Sequence, residues 1–155
     1  MDFAIVDYKK EYQAYFEQFN KAWLEKYFTV EPIDKWVLEN PEEAILNEGG
    51  KVYFLEYLGN IIGTFALKKA EAGAYELTKM TVDEKYRGIG AGKFLCSAAI
   101  QKAKELKARR LVLYSQTCLA PAIGIYRQLG FTEIPLEQGK YKRADIKMEI
   151  IFNEQ

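Results

Sequence analysis

The chain has 155 residues, 49% of them hydrophobic, with 22 Lys and Arg balanced by 22 Asp and Glu, two cysteines and no histidine. A chain of this length buries roughly 70% of its unfolded surface, so residues 1–155 can form one domain without a metal or a disulfide. The zero net charge argues against nucleic acid or an anionic membrane as a partner. The first residues lack the pattern of a signal peptide and no run reaches the roughly 20 apolar residues of a membrane span, so we expect a cytoplasmic protein.

The first third of the chain predicts one strand and two helices. Residues 3–6 predict a short strand, and residues 33–39, between two prolines, predict a short helix. Between them, aromatic side chains recur at spacings of three and four, which is typical of one apolar helix face. These residues are Tyr8, Tyr12, Tyr15, Phe16, Phe19, Trp23 and Tyr27. We expect most of them to lie in the core.

The rest of the chain predicts an antiparallel meander followed by alternating helices and strands. Residues 52–57 and 61–67 predict a hairpin around a glycine turn, and residues 75–82 predict the third strand. The later patterns predict a helix over 91–107, a strand over 111–114, a helix over 121–129, and strands over 131–134 and 145–151. The expected fold class is α/β (α+β), with a mixed, mainly antiparallel twisted sheet of about six to seven strands and helices on both faces.

The segment over residues 80–93, M-T-V-D-E-K-Y-R-G-I-G-A-G-K, is the most informative part of the sequence. Gly88, Gly90 and Gly92 let the backbone adopt positive φ and come close to an anion. The unpaired N–H groups and the positive dipole end of the following helix point into the same space, and Arg87 adds a permanent charge. The segment therefore predicts a pyrophosphate site.

Two nucleotide-binding motifs fit this segment poorly. A Walker loop needs a hydroxyl residue after its lysine, but Lys93 is followed by Phe94. A Rossmann fingerprint needs its third glycine one position later, and residues 107–110, where its acidic residue belongs, read K-A-R-R. Binding of ATP or NAD is the weaker alternative.

The pattern R-x-x-G-x-G, carried by Arg87, Gly90 and Gly92, resembles the coenzyme A loop of the GNAT superfamily of N-acetyltransferases. Downstream, residues 121–131, P-A-I-G-I-Y-R-Q-L-G-F, resemble the family signature A-I-x-L-Y-x-x-L-G-F. Upstream, residues 76–80 resemble the E-L-x-x-M pattern of the fourth strand. The resemblance spans roughly residues 52–150, and it implies the GNAT-like sheet, in which the fourth and fifth strands splay apart around the pantetheine arm.

The resemblance implies acetyl-CoA as co-substrate and no metal. It places the cofactor-binding residues at Met80, Thr81, Val82, Arg87, Gly88, Ile89, Gly90, Ala91, Gly92 and Lys93. Met80 and Val82 would act through backbone groups that pair with pantetheine like an added strand, and the Val82 N–H is a candidate oxyanion donor. Many family members carry an asparagine after the fifth strand, where this chain has none, so Gln116 or Thr117 is the candidate replacement.

The missing histidine rules out serine–histidine and cysteine–histidine couples and histidine-containing zinc sites. The resemblance implies that Tyr126 protonates or hydrogen-bonds the departing thiolate. Glu76, directly or through a water, is the candidate base, because an amine of pKa near ~10 is protonated at neutral pH. The alternative for Glu76 is a solvent-facing glutamate or an ion pair with a neighbouring lysine. Cys118 has no activating partner, so we expect it to be a bystander.

Because Glu76 is an even number of residues from Met80 and Val82, the three side chains should share one face of their strand. The basic stretch over residues 140–143 is expected to be a solvated loop that could reach the acceptor or a phosphate. The predicted function is an N-acetyltransferase that acts on a small-molecule or peptide amine. The alternative is a catalytically silent acyl-CoA-binding regulatory module. A homodimer is possible.

Overall fold

The computed structural model of the chain describes residues 2–139 and 141–152. Within these ranges the strands are β1 (Phe3–Asp7), β2 (Lys51–Tyr57), β3 (Asn60–Lys69), β4 (Ala74–Val82), β5 (Arg110–Ser115), β6 (Thr132–Ile134) and β7 (Ile146–Ile151). The α-helices are α1 (Gln13–Tyr27), α2 (Pro32–Glu39), α3 (Ala91–Glu105) and α4 (Ala120–Gln128). None of the described helices combines the length and the apolar character needed to cross a bilayer.

The strands form one sheet in the order β1-β2-β3-β4-β5-β7-β6, and β4 with β5 is its parallel pair. The other neighbouring strands are antiparallel. A parallel connection needs a crossover, and α3 supplies it between β4 and β5. The predicted mixed, mainly antiparallel sheet is therefore confirmed.

Helices cover both faces of the sheet and create two cores. On one face, Leu95 and Ala99 of α3 pack with Leu111 of β5 and Met148 of β7. On the other face, α1 and α2 contribute a smaller cluster with Phe54 of β2. The helix faces are set by burial at spacings of three and four, as the sequence predicted for Cys96, Ala99 and Ala103.

The first helix begins later, and buries a different face, than the aromatic pattern predicts. Tyr8 precedes the helix, because the backbone is still extended at Lys9 and a short 3₁₀ turn intervenes. The fully buried face is Phe16, Asn20 and Leu24, whereas Tyr15 and Tyr27 are exposed. Tyrosine is amphipathic, so its periodicity alone does not identify the buried face.

The remaining boundaries differ from the predicted ones by one or two residues, with one addition. A π-helical turn over Glu42–Leu46 follows the proline that was predicted to end α2. The α3 helix ends at Glu105, and Lys107 then takes a positive φ of 64° as the chain turns toward β5. These shifts leave the predicted order of elements unchanged.

The hairpin between β2 and β3 has a two-residue turn, Leu58–Gly59, with φ of 49° and 84°. Two successive positive φ values match the type I′ turn, which suits the twist of paired strands. Glycine adopts this conformation freely, but a leucine there is strained, and the Leu58 side chain is 63% exposed. Leu58 thus has an unfavourable backbone conformation that burial of its side chain does not offset.

We expect the substitution Leu58→Asn to stabilise the fold by about 1 kcal/mol, because asparagine tolerates the left-handed conformation. For a chain of this size, the midpoint of thermal unfolding should rise by about 2–4 °C. Ile33→Asn is the matched control, since Ile33 is 64% exposed and lies in a regular helix. An equal or larger rise for the control would show that lost surface hydrophobicity, and not backbone strain, is responsible.

Candidate active site

The strands β4 and β5 separate partway along their length. They pair over four positions, Ala74–Leu77 with Arg110–Leu113, although β4 continues to Val82 and β5 to Ser115. Within the described ranges, the β4 backbone beyond Leu77 has no ladder partner on β5. This opening is the splay that the family resemblance implied, and it exposes a strand edge that can accept an extended ligand.

A β-bulge in β4 corrects the predicted arrangement of side chains. Glu76 pairs with Lys68 and Val82 pairs with Gly63, so the partners on β3 are an odd number of residues apart. The extra residue lies at the register shift, where Lys79 has a φ of 57°. The prediction that Glu76 shares a face with Met80 and Val82 is wrong, because a bulge reverses the alternation of side chains beyond it.

The bulge assigns these residues to opposite faces of the sheet. Met80 and Val82 pack against the core beneath α3. Glu76 and Thr81 share the other face, toward α1 and α2, and both are buried. The candidate base thus lies on the side of the sheet opposite to α3.

The glycine loop leads directly from the end of β4 into α3. Gly88 and Gly90 have φ of 79° and 83°, as predicted, but Gly92 is already helical and does not have a positive φ. The first helical bond runs from the Phe94 N–H to the Gly90 carbonyl, so the amides of residues 91–93 precede the helical ladder. No side chain caps this end, and its first turn carries no acidic residue.

The other residues predicted in this segment differ in exposure. Ala91 is buried, Ile89 is partly buried against the core, and Lys93 is exposed. The half-exposed Arg87 guanidinium lies 3.5 Å from Glu84. The pKa of Arg87 is raised above its usual value, and the main cause is its interaction with the Tyr27 hydroxyl. The permanent charge of Arg87 therefore lies between α1 and the glycine loop.

A cavity of about 180 Å³ lies on the α1 side of the end of β4. Phe19 and Trp23 of α1 form its apolar wall, and Thr81 and Val82 line it from β4. Charged residues that follow β4, including Arg87, complete its lining. The cavity reaches the open end of β4 from the face that carries Glu76.

Tyr126 lies in α4, partly buried, with its ring edge-on to Phe131 at a centroid distance of 5.9 Å. Burial, followed by the neighbouring Cys96, raises the pKa of Tyr126 above its usual value of 10.0. Among the described residues, its hydroxyl has no hydrogen-bond partner. A protonated phenol without a protein partner is available to a ligand.

Glu76 is 3% exposed, and its carboxylate accepts a hydrogen bond of 2.8 Å from the Tyr141 hydroxyl. Burial, together with the charge of Glu76, raises the pKa of Tyr141, so the phenol remains a donor. The Tyr141 ring packs edge-on against Tyr114 at 5.0 Å. Glu76 is therefore held by a neighbouring loop, and a solvent-facing position for it is wrong.

Arg143 connects the loop between β6 and β7 to α2. Its guanidinium donates two hydrogen bonds to the buried Asp34, of 2.8 and 2.9 Å, and it also reaches Glu31 at 3.4 Å. Asp34 accepts a further bond of 3.0 Å from the Glu31 N–H, which completes a capping box at the start of α2. Residue 143 is thus not in a solvated loop, and residue 140 of the same stretch lies outside the described ranges.

The carboxyl group of Asp34 is subject to opposing effects. Burial alone would raise its pKa, but the bonds from Arg143 and Glu31 and the positive charge of Lys79 outweigh burial and lower it. The Lys79 ammonium lies 3.8 Å from Asp34. Burial lowers the pKa of Lys79, and the charge of Asp34 opposes that change.

Gln116 and Thr117 contact the loop between β6 and β7. The Gln116 amide donates to the Arg143 carbonyl, and Thr117 donates through its N–H and its hydroxyl to Asp145, at 2.7 and 2.8 Å. These bonds join the connection after β5 to the loop that carries Tyr141. A role of Gln116 or Thr117 in binding a cofactor stays a prediction.

The structure brings most of the predicted residues to the two sides of the β4–β5 opening. Sequence reasoning missed Asp34 and the contacts of Tyr141 and Arg143. Asp34 and Arg143 are separated by 109 positions, and no local pattern relates them. Within the described ranges, no group of three or more Asp, Glu or Cys side chains is placed to hold a metal ion.

We expect Asp34→Asn to lower the free energy of unfolding by about 3 kcal/mol at pH 7, because Arg143 would lose a buried partner. Since the pKa of Asp34 is lowered in the folded state, its contribution is present above the unfolded pKa near ~3.9 and is lost as pH falls through the folded value. Urea unfolding at pH values from 7 to 3 should show that the difference in the free energy of unfolding between wild type and Asp34→Asn becomes smaller below about pH 4.

Asp7→Asn is the control, since Asp7 is exposed at the end of β1 and should change stability by less than about 0.5 kcal/mol. A loss for Asp34→Asn that stays constant across this pH range would contradict an ionised Asp34 in the folded protein.

Comparisons with known proteins agree with this geometry. The chain is 29% identical over 111 residues to the uncharacterized N-acetyltransferase YjgM of Escherichia coli strain K12, a match that covers 69% of this chain and 66% of that protein. A GNAT-family acetyltransferase structure from Staphylococcus aureus Mu50 is 26% identical, with a TM-score of 0.81 and coverage of 95% and 97% of the two chains. The structure of Salmonella typhimurium yncA, determined with acetyl-CoA, is 20% identical, with a TM-score of 0.78 and coverage of 100% and 96%.

The sequence model of the acetyltransferase (GNAT) family matches residues 8–131, which is most of the chain. The matched range contains β4, the glycine loop, α3 and Tyr126. The chain belongs to the GNAT family of acetyltransferases.

Proposed function

We propose that this chain transfers the acetyl group of acetyl-CoA to a primary amine, which attacks the thioester directly while both substrates are bound. The observation that carries the proposal is the uncapped start of α3, with Gly88 and Gly90, at the open end of β4. Family membership supplies the reaction class, and the related Salmonella structure contains acetyl-CoA.

The glycine loop fits a diphosphate. The amides of residues 91–93 have no helical acceptor, and an added Cβ at Gly88, Gly90 or Gly92 would meet no atom within 4 Å. Gly92 is helical, so neither its φ nor its packing requires glycine, and glycine costs about 1 kcal/mol inside a helix. Close approach of an anion to the backbone accounts for a glycine at this position.

The unpaired β4 edge fits an extended chain with amide groups. We infer that the backbone of Met80 and Val82 pairs with the pantetheine amides, and that Thr81 and Arg87 line the approach. Lys93 and Arg87 add positive charge beside the diphosphate. Gln116 or Thr117 would contact the cofactor only from the β5 side of the opening, across from β4, since both side chains already bind the β6–β7 loop.

The residues of β4 are suited to the transfer itself. Glu76 first takes a proton from the acceptor ammonium, directly or through a water. The neutral amine nitrogen then forms a bond to the thioester carbon, and it loses its second proton to water as the amide forms. The Val82 N–H is the proposed donor to the oxygen that becomes negative, and the C–S bond then breaks. Tyr141 fixes the Glu76 carboxylate for this step through their hydrogen bond.

Tyr126 is the proposed partner of the departing thiolate. Because its pKa lies above 10.0, full transfer of its proton to a thiolate of pKa near ~8.5 is unfavourable. A hydrogen bond from the phenol to the developing negative charge requires no such transfer and still lowers the barrier. We therefore assign Tyr126 chiefly to hydrogen bonding.

Acetyl-CoA at 100 times its Kd should raise the unfolding midpoint by about 5–10 °C, and ATP and NAD at the same concentration should not. Gly92→Asp should weaken acetyl-CoA at least about tenfold, because a carboxylate would face the diphosphate. The same substitution should stabilise the free protein by about 0.5 kcal/mol, since acidic residues are favourable in a first helical turn. Titration calorimetry and thermal unfolding measure the two effects.

Ser97→Asp is the matched control, because it adds the same charge to an exposed position of the same helix, beyond its first turn. It should change acetyl-CoA affinity less than about threefold. Equal weakening by both variants would indicate a general charge effect, and stabilisation by ATP or NAD instead of acetyl-CoA would overturn the proposed cofactor.

Tyr126→Phe should lower kcat about 10- to 100-fold in an assay of released coenzyme A thiol, with little change in the KM for acetyl-CoA. Tyr57→Phe, which removes a hydroxyl from a partly buried tyrosine of β2, should leave kcat unchanged. An unchanged kcat in Tyr126→Phe would remove Tyr126 from the mechanism. Acetyl-CoA binding without turnover on any amine would favour the silent regulatory module.

A further inference from the structure

Lys79 occupies an unusual backbone position beside the proposed base. It lies three residues after Glu76 on β4, at the bulge, with a φ of 57°. A left-handed conformation is unfavourable for a lysine, and a glycine or asparagine would adopt it more easily. The bulge also belongs to the part of β4 that has separated from β5.

The Lys79 ammonium is poorly satisfied by the rest of the described chain. Its side chain is 20% exposed, and its ion pair is a 3.8 Å contact with Asp34, which is too long for a hydrogen bond. Asp34 already accepts three hydrogen bonds of 2.8–3.0 Å, two from Arg143 and one from the Glu31 N–H. The donors of the ammonium therefore remain available on the side that is not covered by Asp34.

The charges around Lys79 favour a ligand with a single negative charge. Glu76 and Asp34 both act on the Lys79 ammonium electrostatically, and Arg143 and Lys68 oppose them. The Arg143 guanidinium is committed to Asp34, so it is not free to bind an acceptor. A dianion such as a phosphate would be repelled by the two neighbouring carboxylates more strongly than a monoanion.

We infer that Lys79 binds a carboxylate of the acceptor, so that the acceptor is an amino acid whose amine is directed to Glu76. This inference rests on the proposed acetyl transfer and specifies its substrate class. A carboxylate bound by Lys79 would form charge-assisted hydrogen bonds that Asp34 cannot supply at 3.8 Å. It would also offset the burial that lowers the pKa of Lys79.

The positions of the two groups match the shape of such an acceptor. Glu76 is a proton acceptor on the α1 and α2 side of the sheet, and Lys79 reaches Asp34 of α2 on that same side. Three strand residues span at most about 10 Å, which the lengths of the two side chains and of a small acceptor can bridge. An amine and a carboxylate on one small molecule can therefore contact both residues together.

The test is a set of matched acceptors, each an L-amino acid, its amide and the amine left after removal of its carboxylate. Phenylalanine, methionine, lysine and glutamine provide apolar, basic and uncharged polar side chains. We expect kcat/KM for the amino acids to exceed that for the decarboxylated amines by about 10- to 100-fold. The amides represent a peptide N-terminus, and they should behave like the decarboxylated amines.

Two variants remove the charge of Lys79 in different ways. Lys79→Met keeps an apolar stem, and Lys79→Gly suits the positive φ, so at least one of them is expected to fold as wild type does. Both should abolish the preference for the carboxylate and leave kcat/KM for the decarboxylated amines within about threefold. Lys35→Met is the matched control, since it removes the same charge from an exposed position of α2, next to Asp34, and it should retain the preference.

The outcomes separate this inference from the function on which it rests. Transfer to decarboxylated amines that equals transfer to the amino acids would overturn the role of Lys79 and leave the acetyltransferase intact. A preference that persists in Lys79→Gly would assign the carboxylate to another residue and overturn the inference as well. Acetyl-CoA binding without transfer to any acceptor would contradict the proposed function, and the inference with it.

Discussion

The early end of pairing between β4 and β5 is the constraint on which the rest of the structure depends. After Leu77 and Leu113 the two strands no longer share a ladder, so one edge of β4 is left open inside the sheet. An open edge has backbone donors and acceptors that need partners. The glycine loop and the uncapped start of α3 follow at the end of this edge. Strand edge and helix amides therefore face a common opening, which suits a long ligand with both amides and phosphates.

The sequence predicted the parts of the molecule that depend on local patterns. The position of the glycine loop before α3 and the order of the elements along the chain match the prediction, because turn residues and alternation act over a few positions. The bulge at Lys79 was not predicted, since one added residue reverses the strand faces without a compositional mark. The ion pair between Arg143 and Asp34 was also missed, because the fold alone brings two such distant positions together.

The equal numbers of acidic and basic residues in this protein include a local cluster of charged side chains beside β4. Overall neutrality does not reveal that Asp34, Glu76, Lys79 and Arg143 lie together beside β4, in the interior of the sheet. Burying such charges costs desolvation energy, and a fold with hydrophobic residues in their place would often be equally stable. The proposed function explains their presence by the fixed positions that they give to Glu76, the proposed base, and to the Lys79 ammonium. Position, more than stability, is what this cluster provides.

The loop between β6 and β7 is shared by the two walls of the opening. The side chain of Arg143 binds α2, and its carbonyl accepts the Gln116 amide from the segment that follows β5. Asp145, two residues later, binds Thr117 of that same segment. A local opening of this loop would release both walls at once, because the same residues hold each of them. Since one loop holds the two halves of the opening, we expect them to gain and lose order together.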